Sequence, residues 1–359
     1  MNKPKRLKKG DKIAIVSLSS GLLGEESTSH NVSIGKERLE SLGLIPVFMP
    51  NALKGIDYLK NHPEARAEDL KAAFLDPAIK GIICAIGGDD TYRLLPFLME
   101  DEAFIQTVKD QPKIFTGFSD TTINHLMFYQ LGLTTYYGLA FITDLADIAV
   151  DMLPYTKKYF LNFLDSQSEI QEISSSDIWY EERTDFSREA IGQDRVAHTE
   201  TKGFELLQGS SVFEGPLLGG CIESLSDILT ANRYPDEQKI CEHYRLFPTL
   251  EKWRGSILFI ETSEEQPTPK VFREILQLLK EKRIFEVVNG IIVGKPQDEK
   301  YYEEYKEELL QVIDNKNLPI LYNINFGHAT PRCVLPYGVV CEVNADESIL
   351  RFKESMFSG

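Results

Sequence analysis

KIFTGFSDTTINHLMFYQL, residues 113–131, switches from strand to helix at a single residue. The apolar run 114–118 reads as a buried strand, and Ile123, Leu126, Met127 and Leu131 then fall at helical spacing. Ser119 stands between them. A serine on a sharp strand-to-helix turn has its hydroxyl lifted clear of the sheet. It also lies at the positive end of a helix, where backbone N–H groups lack partners. That is the mechanical idea of a nucleophile elbow. The glycine expected two residues after the serine is replaced by Thr121. On this segment alone, a helix N-cap is the simpler role for Ser119.

Outward from that turn, the first half alternates strand and helix patterns. Strand-like runs at 13–17, 45–49, 79–86 and 113–118 are separated by helical patterns at 33–42, 64–75 and 91–99. Such alternation predicts an α/β fold with a parallel sheet covered on both faces, a flavodoxin- or Rossmann-like αβα layer. Ligands bind such sheets at the carboxyl ends of the strands. Residues 166–210 lose all periodicity and read as a linker with a long loop, the kind of segment that is functional when it is long. From 211 a mixed pattern resumes, with strands at 256–261, 287–293, 319–322, 338–343 and 348–352 and helices at 270–280 and 301–313. The expected organisation is an N-terminal domain over 1–165 and a C-terminal α/β domain with a β-rich core over 211–359.

Composition bounds the function. The chain has 359 residues, 42% of them hydrophobic and 26% charged, which fits a globular protein of two domains. Net charge is −16 with no lysine- and arginine-rich block, so nucleic acid is not an expected partner. The five cysteines show no C-x-x-C spacing, which disfavours a disulfide framework and a structural zinc site. The basic N-terminus lacks the apolar stretch of a signal peptide, and no segment has the ~20 apolar residues of a membrane span. A reducing, cytoplasmic setting is the expectation.

Three further groups have chemical potential. Gly87-Gly88-Asp89-Asp90-Thr91 follows a strand and opens a helix. Paired glycines let backbone N–H groups approach an anion, so Gly87 and Gly88, with the N–H of Asp120, could form an oxyanion hole. A tight capped turn accounts for them equally well. Neither G-x-G-x-x-G nor a Walker A lysine is present, and no cofactor is expected. Glu261 ends an apolar strand, where a carboxylate is poised over a strand-end site, though a lone strand-end glutamate is more often simply exposed. His328 lies in Asn325-Phe326-Gly327-His328-Ala329-Thr330-Pro331, fixed by glycine before and proline after. Histidine is the usual base for a serine. His125, on the helix after Ser119, is its rival.

LKKGDKIAIVSLSSG, RAEDLKAAFLDPAIKGIICAIGGDDTYRLLPFL, GFSDTT, GSILFIETSEE and NFGHATPRCVLPYG occur in this order. Together they resemble the LD-carboxypeptidase family of serine peptidases over almost the whole chain. The resemblance implies a metal-free Ser-Glu-His hydrolase with Ser119, Glu261 and His328 as its triad across an interdomain cleft. It also implies Gly87 and Gly88 as oxyanion residues. Ile86-Gly87-Gly88-Asp89-Asp90 and Ser176-Asp-Ile-Trp-Tyr-Glu-Glu-Arg183 are similar to the microcin-immunity (MccF-like) branch rather than the muropeptide branch. Members of that branch cut the amide of aminoacyl nucleotides such as processed microcin C, with a tryptophan stacked on the base. Trp179 matches that tryptophan, and Asp89 falls among the expected substrate contacts. A tryptophan that pins its own loop is the other role open to Trp179. The resemblance further implies a small-molecule peptide or aminoacyl-nucleotide substrate and a homodimer. Cys221 and Glu223 depart from the family's usual G-G-N-L, which leaves the substrate open. A muropeptide LD-carboxypeptidase and a non-catalytic binding protein are the alternatives.

Overall fold

The computed structural model describes all 359 residues, and its strands form two large sheets and one small ribbon. In chain order the strands are β1 (Lys12–Val16), β2 (Ile45–Phe48), β3 (Ile79–Cys84), β4 (Ile114–Gly117), β5 (Tyr136–Tyr137), β6 (Glu172–Ser174), β7 (Ile178–Tyr180) and β8 (Ala197–Thr199). They continue as β9 (Glu205–Gln208), β10 (Val212–Cys221), β11 (Ile257–Glu261), β12 (Gly290–Gly294), β13 (Ile320–Ile324), β14 (Leu335–Pro336), β15 (Val340–Asn344) and β16 (Ile349–Phe352).

The first sheet has the order β14-β5-β4-β3-β1-β2. All its pairings are parallel except β14 with β5. Parallel neighbours need crossover connections, and the helices Ser29–Ser41, Pro63–Leu75 and Glu102–Asp110 supply them. Every residue of β4 is buried, as a strand covered on both faces must be. This is why its sequence is a continuous apolar run rather than an alternation. The helical pattern at 91–99 divides into a 3-10 turn, Thr91–Leu94, and a short α-turn, Leu95–Met99. Pro96 lacks an N–H and is suited to the first turn of a helix, so the α-turn begins there.

The second sheet has the order β6-β16-β15-β10-β11-β12-β13-β9. Its centre, β10 to β13, is parallel, and antiparallel strands flank it on both sides. Segment 166–210 is therefore more than a linker. It supplies the two edge strands β6 and β9 and the β7–β8 ribbon. These strands are three or four residues long, too short for an alternation to show, and their pairing partners lie far along the chain.

The two halves are bound together. β14, which follows the His328 loop, returns to the first sheet, where Leu335 pairs with Tyr137. A continuous buried apolar core includes Ile15 and Phe115 of the first sheet and Phe259 and Ile292 of the second. The carboxyl ends of β4 and β10 meet, with the Cys221 N–H donating to Thr122 Oγ1 at 3.0 Å. No helix is long and apolar enough to cross a membrane.

Candidate active site

Ser119 has φ = 65°, in the left-handed region that costs energy for any residue but glycine. The turn from β4 into the helix Thr122–Leu131 forces that conformation and leaves the side chain 8% exposed, at the wall of a cavity. The Ser119 N–H donates to the Tyr137 hydroxyl at 3.1 Å. Gly87 lies against it. A Cβ on Gly87 would stand 2.8 Å from Ser119 Cβ and 3.1 Å from its Oγ, so only glycine fits. The N–H groups of Gly87 and Gly88 donate to no protein acceptor and remain available to an anion.

The Asp120 carboxylate accepts from Ser19 Oγ at 2.6 Å and from the Thr91 N–H at 2.9 Å, tying three strand ends together. Burial pushes its carboxyl up to about 6. Beneath this turn lies a residue that the sequence pattern did not single out. Arg66 is fully buried, with Nη1 and Nη2 at 2.5 and 3.1 Å from the two Asp90 oxygens. Its Nη1 also reaches the carbonyls of Leu18 and Ser19. In sequence it belongs to a helix rich in charge, where an arginine ordinarily faces water. Asp89 stands outside this network. It is exposed, 3.9 Å from Arg233, at a small side pocket that Ser119 also borders.

The second half of the site is built from side-chain hydrogen bonds. Glu261, at the end of β11, is 1% exposed. Its Oε2 accepts from His328 Nδ1 at 2.8 Å and from the His328 backbone N–H at 3.1 Å. Its Oε1 accepts from the Tyr137 hydroxyl at 2.5 Å. Tyr137 thus bridges the Ser119 backbone and the Glu261 carboxylate, a link with no signal in the sequence. Gly327 has φ = 85°, and a side chain there would run into the Glu261 carboxylate. Glycine before the histidine therefore lets its loop lie directly on the acid.

The expected Ser–His–Glu chain is complete at one link and open at the other. No hydrogen bond joins Ser119 Oγ to His328, although both border the same cavity. Instead His328 Nε2 meets Glu264 Oε2 at 2.8 Å. Burial pushes the imidazole down, but the Glu261 and Glu264 carboxylates outweigh it and hold it up at about 10. The His328 bond in turn holds the Glu264 carboxyl down at about 2. Arg332 braces the loop, donating to the His328 carbonyl at 3.2 Å and to both Asp144 oxygens at 3.1 Å. Its guanidinium also sits 4.4 Å from the Phe118 ring centre. Glu264 lies in a short acidic run after a strand, which in sequence looks like a solvated turn.

His125, the rival base, is fully buried away from the cavity. It bonds Thr135 Oγ1 at 2.7 Å and the Gly117 carbonyl at 3.0 Å, and burial pushes it down to about 3. It is a structural neutral imidazole. The tightest set of potential metal donors is Cys221, Glu261 and His328, with one ligand atom each within 4.8 Å of one another. Burial pushes the Cys221 thiol well above its ordinary range, so it stays protonated and donates to Glu223 at 3.3 Å. Glu223 in turn accepts from the N–H and hydroxyl of Ser263 at 2.9 and 2.7 Å. The departure at Cys221 and Glu223 therefore anchors the loop that carries Glu264.

The cavity has a volume of about 1030 Å³. Ser119, His328 and Gly87 line it, as do Arg183, Arg188 and Phe186 from the long segment before β8. Trp179 is not brought to its wall. Its ring stacks on His198 at 4.2 Å, with Lys295 Nζ 5.0 Å from the ring centre. It sits on the β7–β8 ribbon, where pairing with β8 sets His198 directly opposite.

Comparison with known proteins gives a consistent answer. Residues 13–138 match the N-terminal domain and residues 214–343 the C-terminal domain of the LD-carboxypeptidase family. The chain is 30% identical to YocD of Bacillus subtilis, which bears a carboxypeptidase name, over 95% of each chain. It is 28% identical to the microcin C7 self-immunity protein MccF of Escherichia coli, over 82% of this chain and 79% of that one. The crystal structure of an MccF-like protein from Streptococcus pneumoniae in complex with AMP superposes with a TM-score of 0.92 at 52% identity. That match covers 96% of this chain and 99% of the other.

Proposed function

Since the chain belongs to the LD-carboxypeptidase family of serine peptidases, in its MccF-like branch, we propose that it hydrolyses the amide of an aminoacyl nucleotide through Ser119, His328 and Glu261. The observation that carries this reading is the 2.8 Å bond from His328 Nδ1 to the buried Glu261, which leaves Nε2 facing the cavity that Ser119 borders. The AMP bound by the Streptococcus pneumoniae relative favours a nucleotide over a cell-wall peptide.

With Nε2 free, His328 takes the Ser119 proton as Oγ attacks the scissile carbonyl. Glu261 stabilises the imidazolium and holds the ring orientation. The N–H groups of Gly87, Gly88 and Asp120 would receive the oxyanion, where one donor contributes roughly 10²–10³ in turnover. His328 then protonates the leaving nitrogen, and water, deprotonated by the same ring, releases the acyl group. Arg188, which pairs with no carboxylate, offers the cavity a cation suited to a phosphate or sulfamate, whereas Arg332 and Arg183 are held by Asp144 and Asp147. Asp89 and Trp179 enter this reading only if their loops move toward the ligand. In the cell the activity would detoxify processed microcin-like compounds, with a cytoplasmic homodimer as its form.

The test is a side-by-side hydrolysis assay with an aminoacyl-sulfamoyl adenosine and an L,D-tetrapeptide, each against the Ser119→Ala variant. Cleavage of the adenosine compound alone supports the proposal. Cleavage of the tetrapeptide alone moves the enzyme to cell-wall recycling. Tight binding without cleavage of either makes it a binding protein.

A further inference from the structure

His328 needs a free Nε2 to accept a proton from Ser119, and in the resting protein that nitrogen is occupied. Nδ1 lies 2.8 Å from Glu261 Oε2 and Nε2 lies 2.8 Å from Glu264 Oε2. Nδ1 donates to Glu261, and an unprotonated Nε2 would set its lone pair 2.8 Å from a carboxylate oxygen, so each ring nitrogen carries a proton. The ring is then an imidazolium with no lone pair for the serine. The two carboxylates that hold His328 up at about 10 describe the same state in terms of charge.

The partners differ in mobility. Glu261 is 1% exposed and fixed by three hydrogen bonds at the end of β11. The Glu264 side chain is 63% exposed and borders both the main cavity and the side pocket beside Ser119. One can leave and the other cannot. The loop bearing Glu264 is anchored one residue earlier, through the Ser263 bonds to Glu223, so release needs side-chain rotation rather than loop unfolding.

We propose that Glu264 is a substrate-displaced latch on His328, released when its carboxylate pairs with a cationic group on the acyl side of the substrate. The inference rests on the serine-hydrolase reading above and deepens it by naming a substrate feature. An aminoacyl group has a free α-ammonium two bonds from the scissile carbonyl carbon, within reach of a carboxylate that borders both the side pocket beside Ser119 and the cavity. On release the Nε2 proton passes to solvent. The neutral ring, protonated at Nδ1 toward Glu261, then turns its lone pair to Ser119 Oγ. Substrates without a cation there leave the latch closed.

A fluorophosphonate tests this, because it is small, uncharged on its acyl-mimicking side and reports Ser119 directly. Ser119 Oγ forms the bond to phosphorus, fluoride leaves, and the Ser119 proton goes to His328. In the intact protein the latch is closed and labelling is slow. In Glu264→Gln and Glu264→Ala, labelling followed by mass spectrometry should be about ten- to a hundred-fold faster, the equivalent of one charge-assisted hydrogen bond. The pH midpoint of labelling should also fall in both variants. The groups facing His328 that remain are Glu261, Arg332 and the protonated Cys221, with the uncharged Phe118 ring 5.0 Å away. With an aminoacyl-sulfamoyl adenosine the order reverses, and the variants should show a raised KM. N-acetylation of that substrate should abolish the wild-type advantage. Equal labelling rates in all three proteins would overturn the latch while leaving the serine mechanism intact. Absence of labelling in all three, with Ser119 unmodified, would overturn the serine reading itself.

Discussion

The two halves of the site are held by different kinds of force. Around Ser119 the geometry is set mainly by backbone, a left-handed φ and a glycine that leaves no room for a side chain, and the buried Arg66–Asp90 ion pair braces the neighbouring turn. Around His328 it is set by side-chain hydrogen bonds to Glu261 and, through it, Tyr137, and by an ion pair with Glu264. Backbone constraints stay in place as charges change. Side-chain networks respond to charge. On the proposed mechanism, Ser119 is therefore held in place whatever the charge state, while His328 answers to whatever reaches its carboxylates. Tyr137 joins the two halves, because its hydroxyl accepts from the Ser119 N–H and donates to Glu261.

The largest effect expected is chemical. Ser119→Ala should lower kcat/KM on an aminoacyl-sulfamoyl adenosine by a factor on the order of 10⁴–10⁶, with unchanged circular dichroism and retained binding. Residual turnover within tenfold of wild type would end the nucleophile assignment.

Glu261→Gln keeps the shape of the charge-responsive half and removes its charge. A loss on the order of 10³–10⁴ in kcat, with KM little changed, is expected in steady-state kinetics. A change confined to KM would mean that Glu261 serves binding.

Arg66→Met probes the backbone half. It leaves the Asp90 carboxylate to Arg93 and Ser19 Oγ and the Leu18 and Ser19 carbonyls without their donor, and removing one partner of a buried pair costs up to about 3–5 kcal/mol. Urea denaturation should show that loss. A variant as stable as wild type would mean the turn holds itself.

The smallest effect separates two aromatics. Phe186→Ala, at the cavity wall, should weaken kcat/KM on the nucleotide substrate by roughly tenfold, within the range for base stacking. Trp179→Ala should act as strongly only if its ribbon turns from His198 toward the ligand. Comparing both variants on a base-free substrate distinguishes stacking from loop support.

Legibility in the sequence followed the same division. The strands preceding Gly87 and Ser119 were readable because a strand buried on both faces is written as an apolar run, broken in β3 only by the exposed Lys80, and the turns after them hold glycine or a capping serine. Glu261 and His328 were readable as a pair only through the ordered family blocks, because nothing local ties residue 261 to residue 328. Tyr137, Arg66 and Glu264 gave no signal. Each is an ordinary residue on its own element and gains its role from a partner more than twenty residues away, whether Glu261, Asp90 or His328. The ten-residue β10 was obscured by Gly215, Pro216, Gly219 and Gly220, which read as turn signals. The edge strands β6 and β9 were too short to carry a period.

The pairing of β14 with β5 has a consequence for the order of synthesis. Tyr137 lies on β5, and the strand that seals that edge is made roughly 200 residues later, some 10–40 s at about 5–20 residues per second. Until then the nascent first sheet ends in an open edge, and the hydroxyl that will link serine to glutamate has no glutamate to reach. A chain stalled before Glu261 and His328 are made therefore carries the proposed nucleophile without the residues proposed to activate it.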